Sequence, residues 1–285
     1  GVARAPPRPR PPAPPAAAFV ERMQAQYYGQ RLLLRRIFER MRPDRFRRLR
    51  RQEQGEEIDL EAAIEAVVDR KAGRSPSQKL YIQRDRRERD VAVALLVDVS
   101  GSTGKMLSVG EPAVGRAIVQ IEQESLLLLA EAVQAVGDAL AIYAYSGNGR
   151  EQVDLYRIKE FDEPYTPRIG QRIASMRAMA QNRDGAAVRH ATAKLLRREA
   201  KTRLLVLLSD SRPFDRDYEG AYALGDTRQA LEEARRRRVR TFCITVDRQA
   251  DRYVAGLFAP GQYAVIDDVR HLPVRLSRIY QRITT

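Results

Sequence analysis

Eight consecutive residues, Val91-Ala-Val-Ala-Leu-Leu-Val-Asp98, form an unbroken apolar run rich in β-branched side chains that stops on an acid. A strand of that composition has no polar face to offer water. It therefore belongs in the middle of a parallel sheet, covered by helices on both sides. The rest of the pattern fits such a sheet. A long helix is expected over roughly 113–137, strands over 139–146 and 153–159, helices near 168–178 and 186–199, and a second wholly apolar strand over 203–210. Further on, the pattern predicts a helix at 226–238, a strand at 240–246, a short helix near 251–258, a strand at 263–266 and a closing helix near 272–283. Strands alternating with helices predict an α/β fold, a doubly wound and mainly parallel sheet flanked by helices.

Upstream of this domain, expected over 91–285, the chain has a different character. Residues 1–18 are a Pro/Ala/Arg tract, which reads as an extended linker because proline fixes φ and removes donors. Residues 19–90 read as a basic helical arm. Phe19, Met23, Tyr27, Leu33, Ile37 and Met41 share one face of a helix that Pro43 ends. A second, amphipathic helix over 58–68 presents Ile58, Leu60, Ile64, Val67 and Val68. The formal net charge is +14, with 51 Lys+Arg against 37 Asp+Glu, and the first fifty residues hold 13 arginines against three acids. Such an arm suits an acidic protein face better than nucleic acid. Within it, the run RFRRLRR (45–51) is either a docking patch for an acidic surface or a solvated Arg-rich helix, whereas YYGQRLLLRRIF (27–38) is too apolar to stay in water and must pack on something.

Several functions are disfavoured. No apolar run approaches the ~18 residues of a membrane span, and the opening residues resemble neither a signal peptide nor an anchor, so a soluble, cytoplasmic chain without membrane insertion is expected. The first residue is Gly rather than Met, as expected of a piece of a longer protein. A lone cysteine, Cys243, excludes an internal disulfide and any CxxC site, and it reads as a core thiol in RTFCITV. No GxxxxGK[ST] is present, so ATP hydrolysis falls to a partner. Ser100 lacks a nucleophile elbow, and of the two histidines His190 reads as packed in a helix and His271 has no nameable partner.

In doubly wound sheets, ligands bind where strands end at their carboxyl edge. The first apolar strand runs into Asp98-Val-Ser100-Gly-Ser102, and another ends at Ser209-Asp210-Ser-Arg-Pro. Carboxylates at that depth need a cation or a basic partner. One Asp and two Ser hydroxyls on a turn, with a second Asp from another strand, are hard oxygen donors suited to Mg²⁺ or Mn²⁺. The plainer reading of the same turn is a helix cap.

The pair DVSGS and SDSRP resembles the D-x-S-x-S…D metal-ion-dependent adhesion site of von Willebrand factor A domains. The stretch 49–103, together with RIKEFDEPYTPRIGQRIASM and DGAAVRHATAKLLRRE, resembles the NorD/CbbO family over about residues 19–285. This resemblance implies a von Willebrand factor A-like domain in a non-enzymatic adaptor. Its partners would be a MoxR-class AAA+ ATPase hexamer of the NorQ/CbbQ type and a client enzyme, nitric oxide reductase or Rubisco. By position, Ser100 and Ser102 would bind the metal directly, and Asp98 and Asp210 directly or through water. A partner Asp or Glu would fill the open coordination position. The third loop usually supplies a Thr; here Asn182 takes that place in Gln181-Asn182-Arg183-Asp184-Gly185, and Asp184 follows two residues later. Because Asn-x-Asp-Gly is also similar to cobaltochelatase A-domain subunits, a cobalt or magnesium chelatase subunit is the alternative. A nucleic-acid binder ranks last.

Overall fold

The computed structural model describes residues 16–41, 47–85, 90–109, 114–209, 213–245, 251–265 and 280–281. Two helices come first, α1 (Ala16–Gln26) and α2 (Tyr28–Glu39). The single helix expected from the apolar pattern breaks at Tyr27, whose backbone (φ −106°, ψ 25°) leaves the helical region. Tertiary packing outweighs local propensity here, because Tyr27 is buried and donates its hydroxyl hydrogen bond to Glu124 Oε2 at 2.9 Å. Phe19, Met23, Leu34 and Phe38 sink into the main core, which is where the apolar 27–38 segment packs.

Next comes a small antiparallel sheet of β1 (Arg47–Gln52), β2 (Glu57–Ile58) and β3 (Tyr81–Asp85), in the order β1-β3-β2, with α3 (Leu60–Lys71) between its last two strands in sequence. Arg47 to Arg51 are therefore strand, which rules out the solvated Arg-rich helix, one of the two readings the sequence leaves open. Acids of the same unit relieve the repulsion between neighbouring cations: Arg48 bonds Glu57, Arg50 bonds Glu61 at 2.8 Å and Arg51 bonds Glu65 at 2.8 Å. Helix α3 is amphipathic as read, but its small side chains Ala62 and Ala66 are the buried ones. Leu60, Ile64, Val67 and Val68 remain more than half exposed.

The main domain follows: β4 (Val91–Asp98), a hairpin of β5 (Met106–Val109) and β6 (Val114–Ala117), α4 (Ile118–Val136), β7 (Ala139–Gly147), β8 (Val153–Lys159), α5 (Pro167–Ala174), α6 (Asp184–Leu196), β9 (Thr202–Leu208), α7 (Gly220–Arg236), β10 (Val239–Thr245), α8 (Asp251–Leu257) and β11 (Tyr263–Val265). Six strands form one sheet in the order β11-β10-β9-β4-β7-β8, parallel except for the edge strand β8, which runs antiparallel to β7. The doubly wound sheet expected from sequence is present. The hairpin is a correction: a helix was expected from about 113, but α4 begins at Ile118, after Gly115 in β6. Most of the closing helix expected at 272–283 falls outside the described residues. Tyr280, inside them, is helical and stacks against Phe38 with ring centroids 4.9 Å apart.

All eight residues of β4 are buried, and the strand splits its side chains between two cores. Val91, Val93, Leu95 and Val97 join the core beneath α4. Ala92, Ala94 and Leu96 join the one beneath α6 and α7. Truncating a leucine in such a strand costs about 2–5 kcal/mol. Helix α4 is covered nearly all round, and its buried residues include the polar run Glu122, Gln123, Glu124 and Ser125 as well as its leucines. Its buried Gln123 sends Nε2 to the carbonyls of Ile173, Ala174 and Met176 at 3.1, 3.0 and 2.9 Å, capping the carboxyl end of α5. Gly137, at φ +91°, ends α4 in the left-handed conformation. Among the described residues no helix is long and apolar enough to cross a membrane.

Candidate metal centre

Asp98 is the last residue of β4 and is fully buried. Its Oδ1 accepts the Ser100 N–H at 2.8 Å, which folds the chain back over the strand end. Its Oδ2 accepts from Asn182 Nδ2 at 2.6 Å and from Ser209 Oγ at 3.1 Å. Three donors from three loops thus hold one carboxylate. Beyond it, the hydroxyls of Ser100 and Ser102 stand 3.0 Å apart on a 3-10 turn over Gly101–Gly104. Buried Thr103 fixes the turn by donating Oγ1–H to the Ser100 carbonyl at 2.7 Å.

The second loop is zipped to the first by main-chain bonds. Met179 N–H donates to Val99 O and Gly101 N–H to Ala180 O, both at 2.6 Å. Gln181 exchanges bonds with Gly147 at 2.6 and 2.9 Å. Asn182 comes next and is held on both sides of its amide: Oδ1 accepts the Phe214 N–H at 2.6 Å, so Nδ2 is the end that faces Asp98. Asn182 is therefore a donor to the carboxylate. Asp184, two residues on, opens α6 and is buried, with Oδ1 accepting the Tyr145 hydroxyl at 2.8 Å. Burial, and then the nearby charges of Asp184 and Asp98, push the Tyr145 phenol well above its usual pKa.

The third loop is anchored by a buried ion pair. Arg183 Nε meets Asp215 Oδ2 at 2.5 Å, Nη2 donates to the Arg216 carbonyl at 2.7 Å, and the guanidinium lies 4.8 Å from the Tyr218 ring centroid. Burial opposes ionisation of Asp215. Hydrogen bonds from the Gly149 N–H, Arg183 and the Arg216 N–H outweigh it and hold the carboxyl below the usual range.

Of the six residues singled out in the sequence, the structure thus brings Asp98, Ser100, Ser102 and Asn182 together. Asp184 is turned to Tyr145, the register partner of Asp98 on β7. Asp210 lies outside the described residues. Ser209, Phe214 and the Arg183–Asp215 clamp escaped sequence reading; their roles depend on partners up to 111 residues away. His190 proves exposed on α6, and His271 lies outside the described residues. Burial, and then Asp184, push the Cys243 thiol well up, as suits an inert core residue.

Ser100, Ser102, Asn182, Lys105, Phe214 and Tyr253 help line a cavity of about 490 Å³ above Asp98. Among the described residues, no group of three His, Cys, Asp or Glu side chains is placed to hold a metal, so any cation here relies on hydroxyl oxygens as well as charge. Two hydroxyls in mutual contact, backed by an oriented carboxylate and facing open space, fit a hard divalent ion.

Residues 92–262 match the von Willebrand factor type A domain family. The chain belongs to that family. The chain is 39% identical across 251 residues to Protein NorD of Brucella melitensis (88% of this chain, 38% of that protein). It is 38% identical across 236 residues to Protein NorD of Stutzerimonas stutzeri (82% and 38%). A Pseudomonas aeruginosa protein, PA0525, is 39% identical across 273 residues (95% and 44%). The chain spans about two fifths of the length of these relatives. Among solved structures, the A domain resembles the PilB minor pilin of Streptococcus sanguinis, with a TM-score of 0.53 at 11% identity over 72% of this chain and 65% of that one. The SpaC pilus adhesin of Lactobacillus rhamnosus GG gives 0.52 at 12% identity over 70% and 31%. At that identity the likeness is one of fold.

Proposed function

We propose that this A domain is a non-enzymatic, metal-dependent recognition module that links a MoxR-class AAA+ ATPase to a client enzyme. Nitric oxide reductase is preferred to Rubisco as client because the named relatives are NorD proteins. The carrying observation is the pair of serine hydroxyls 3.0 Å apart above a carboxylate that three loops hold in place. Ser100 and Ser102 would hold Mg²⁺ or Mn²⁺ through oxygen, with Asp98 and Asp210 supplying charge directly or through water. When bound, the cation supplies an electrophilic position that a partner's Asp or Glu can fill. Asn182 and Ser209 would keep Asp98 oriented, and the cavity wall carries one cation, Lys105, and one acid, Glu219, so the incoming carboxylate would depend on the bound ion rather than on the wall.

The test is retention of a purified MoxR-class ATPase and of solubilised nitric oxide reductase on the immobilised chain, in Mg²⁺ or in EDTA. Retention that needs Mg²⁺ and is lost in Asp98→Ala is expected. Retention indifferent to both would remove the metal from the reading.

A further inference from the structure

A second cavity, of about 630 Å³, opens at the edge of the sheet between β8 and α5. Its walls carry three arginines, Arg168 and Arg172 on α5 and Arg177 just beyond it, while Arg157 borders it on β8 but alternates with Tyr156 and Ile158 and so turns to the other face of the sheet. Arg172 is fixed to the wall, with Nη1 donating to the Ile158 carbonyl at 2.9 Å and to Glu163 at 3.0 Å. Arg157 feels the field of Glu160 without forming a salt bridge to it. Arg168 and Arg177 are exposed and form no salt bridge among the described residues. The floor is not charged. Val99, Ala144, Tyr156, Ile158, Met176 and Met179 provide it, and Met179 is half exposed.

This groove adjoins the candidate metal centre. Val99 and Met179 line it, while their neighbours Ser100 and Ala180 line the cavity above Asp98. The two hollows are separated only by the strip in which Met179 bonds Val99 and Gly101 bonds Ala180. We propose that the groove takes an acidic, partly apolar peptide segment of the same partner whose carboxylate reaches the metal, its acids meeting the arginines and its apolar side chains meeting the methionine and tyrosine floor. Charge complementarity selects the acids, and the apolar floor favours a peptide over a phosphate backbone. The inference rests on the metal-dependent reading above.

The probe is a fluorescent eight-residue peptide alternating Glu and Leu, measured by anisotropy on the full chain at about 0.15 M salt, with a Lys/Leu peptide and a short single-stranded RNA as comparisons. In Arg168→Glu/Arg177→Glu, with the fold checked by circular dichroism, the Glu/Leu peptide is expected to bind about tenfold more weakly, in Mg²⁺ and in EDTA alike. The milder Arg168→Gln/Arg177→Gln pair is expected to show a smaller loss in the same direction. Absence of peptide binding, binding indifferent to both arginine pairs, or tighter binding of the RNA than of the peptide would each overturn the proposal. If EDTA and Asp98→Ala change nothing while the arginine variants weaken binding, the groove stands and the metal reading falls. If EDTA and Asp98→Ala weaken binding while the arginine variants do not, the groove falls and the metal reading stands.

Discussion

Asn182 meets Asp98 through its amide nitrogen, 2.6 Å from Oδ2, because its amide oxygen is already taken by the Phe214 N–H. The second loop thus reaches the first through a neutral donor, and Asn182 steadies the carboxylate from that side.

That geometry separates two substitutions. Asn182→Ala removes a donor from a buried carboxylate and is expected to cost about 1–3 kcal/mol in urea denaturation. Asn182→Asp places a like charge beside Asp98, so the metal-free protein should lose at least as much, and Mg²⁺ should raise its melting temperature more than it raises that of the parent. An equal Mg²⁺ shift in both proteins would mean that the two side chains are not coupled through a cation.

Ser100→Ala with Ser102→Ala removes a single hydroxyl contact and leaves the turn's main-chain bonds intact. Stability is expected to change by about 1 kcal/mol, while Mg²⁺ or Mn²⁺ binding measured by calorimetry disappears. Undiminished binding would place the cation elsewhere.

The Arg183–Asp215 pair is expected to dominate the stability of the loops. Arg183→Ala leaves Asp215 charged and buried without its cation, at a cost of about 3–5 kcal/mol by chemical denaturation.

The same pair sets a pH dependence. Because the Asp215 carboxyl is held below its usual pKa, its contribution is complete above the ordinary carboxylate range and fades as pH falls through the depressed folded value. Stability should therefore fall as pH drops below about 4, where the unfolded carboxyl takes up its proton, and Asp215→Asn should show a shallower fall over that range. Parallel curves for the two proteins would contradict this assignment.

Gly185, at the start of α6, faces the Asp226 carboxylate so closely that an added Cβ would lie 2.0 Å from Oδ2. Asp226 cannot simply swing away, since it holds Arg189 and the Tyr218 hydroxyl, each at 2.7 Å. Gly185→Ala should cost about 1–3 kcal/mol, and Asp226→Ala in the same chain should recover part of it, as a double-mutant cycle would show.

Sequence alone carried much of this architecture. The run 91–98 announces its own burial, and β8 over 153–159 starts and ends where its pattern does. Asp98, Ser100 and Ser102 were legible as a group because one short turn holds them. The choice between Asn182 and Asp184 was not legible: spacing brings both into range, and only the Phe214 N–H and the Tyr145 hydroxyl, far along the chain, turn them apart. Likewise, the arginine run of β1 carries no alternation to mark it as a strand; it becomes one by pairing with β3 and with acids on α3. The apolar pattern of α3 is readable, but the inward turn of its alanines is a tertiary outcome.

The strip joining Val99–Gly101 to Met179–Ala180 forms one wall of two hollows. If both hollows take a guest, as proposed, a shift of this strip for one guest would be felt by the other, and thermodynamic reciprocity would then have each guest change the other's affinity by the same factor. Two grips placed back to back in this way would act as a coincidence detector, retaining a partner that satisfies both over one that satisfies only one.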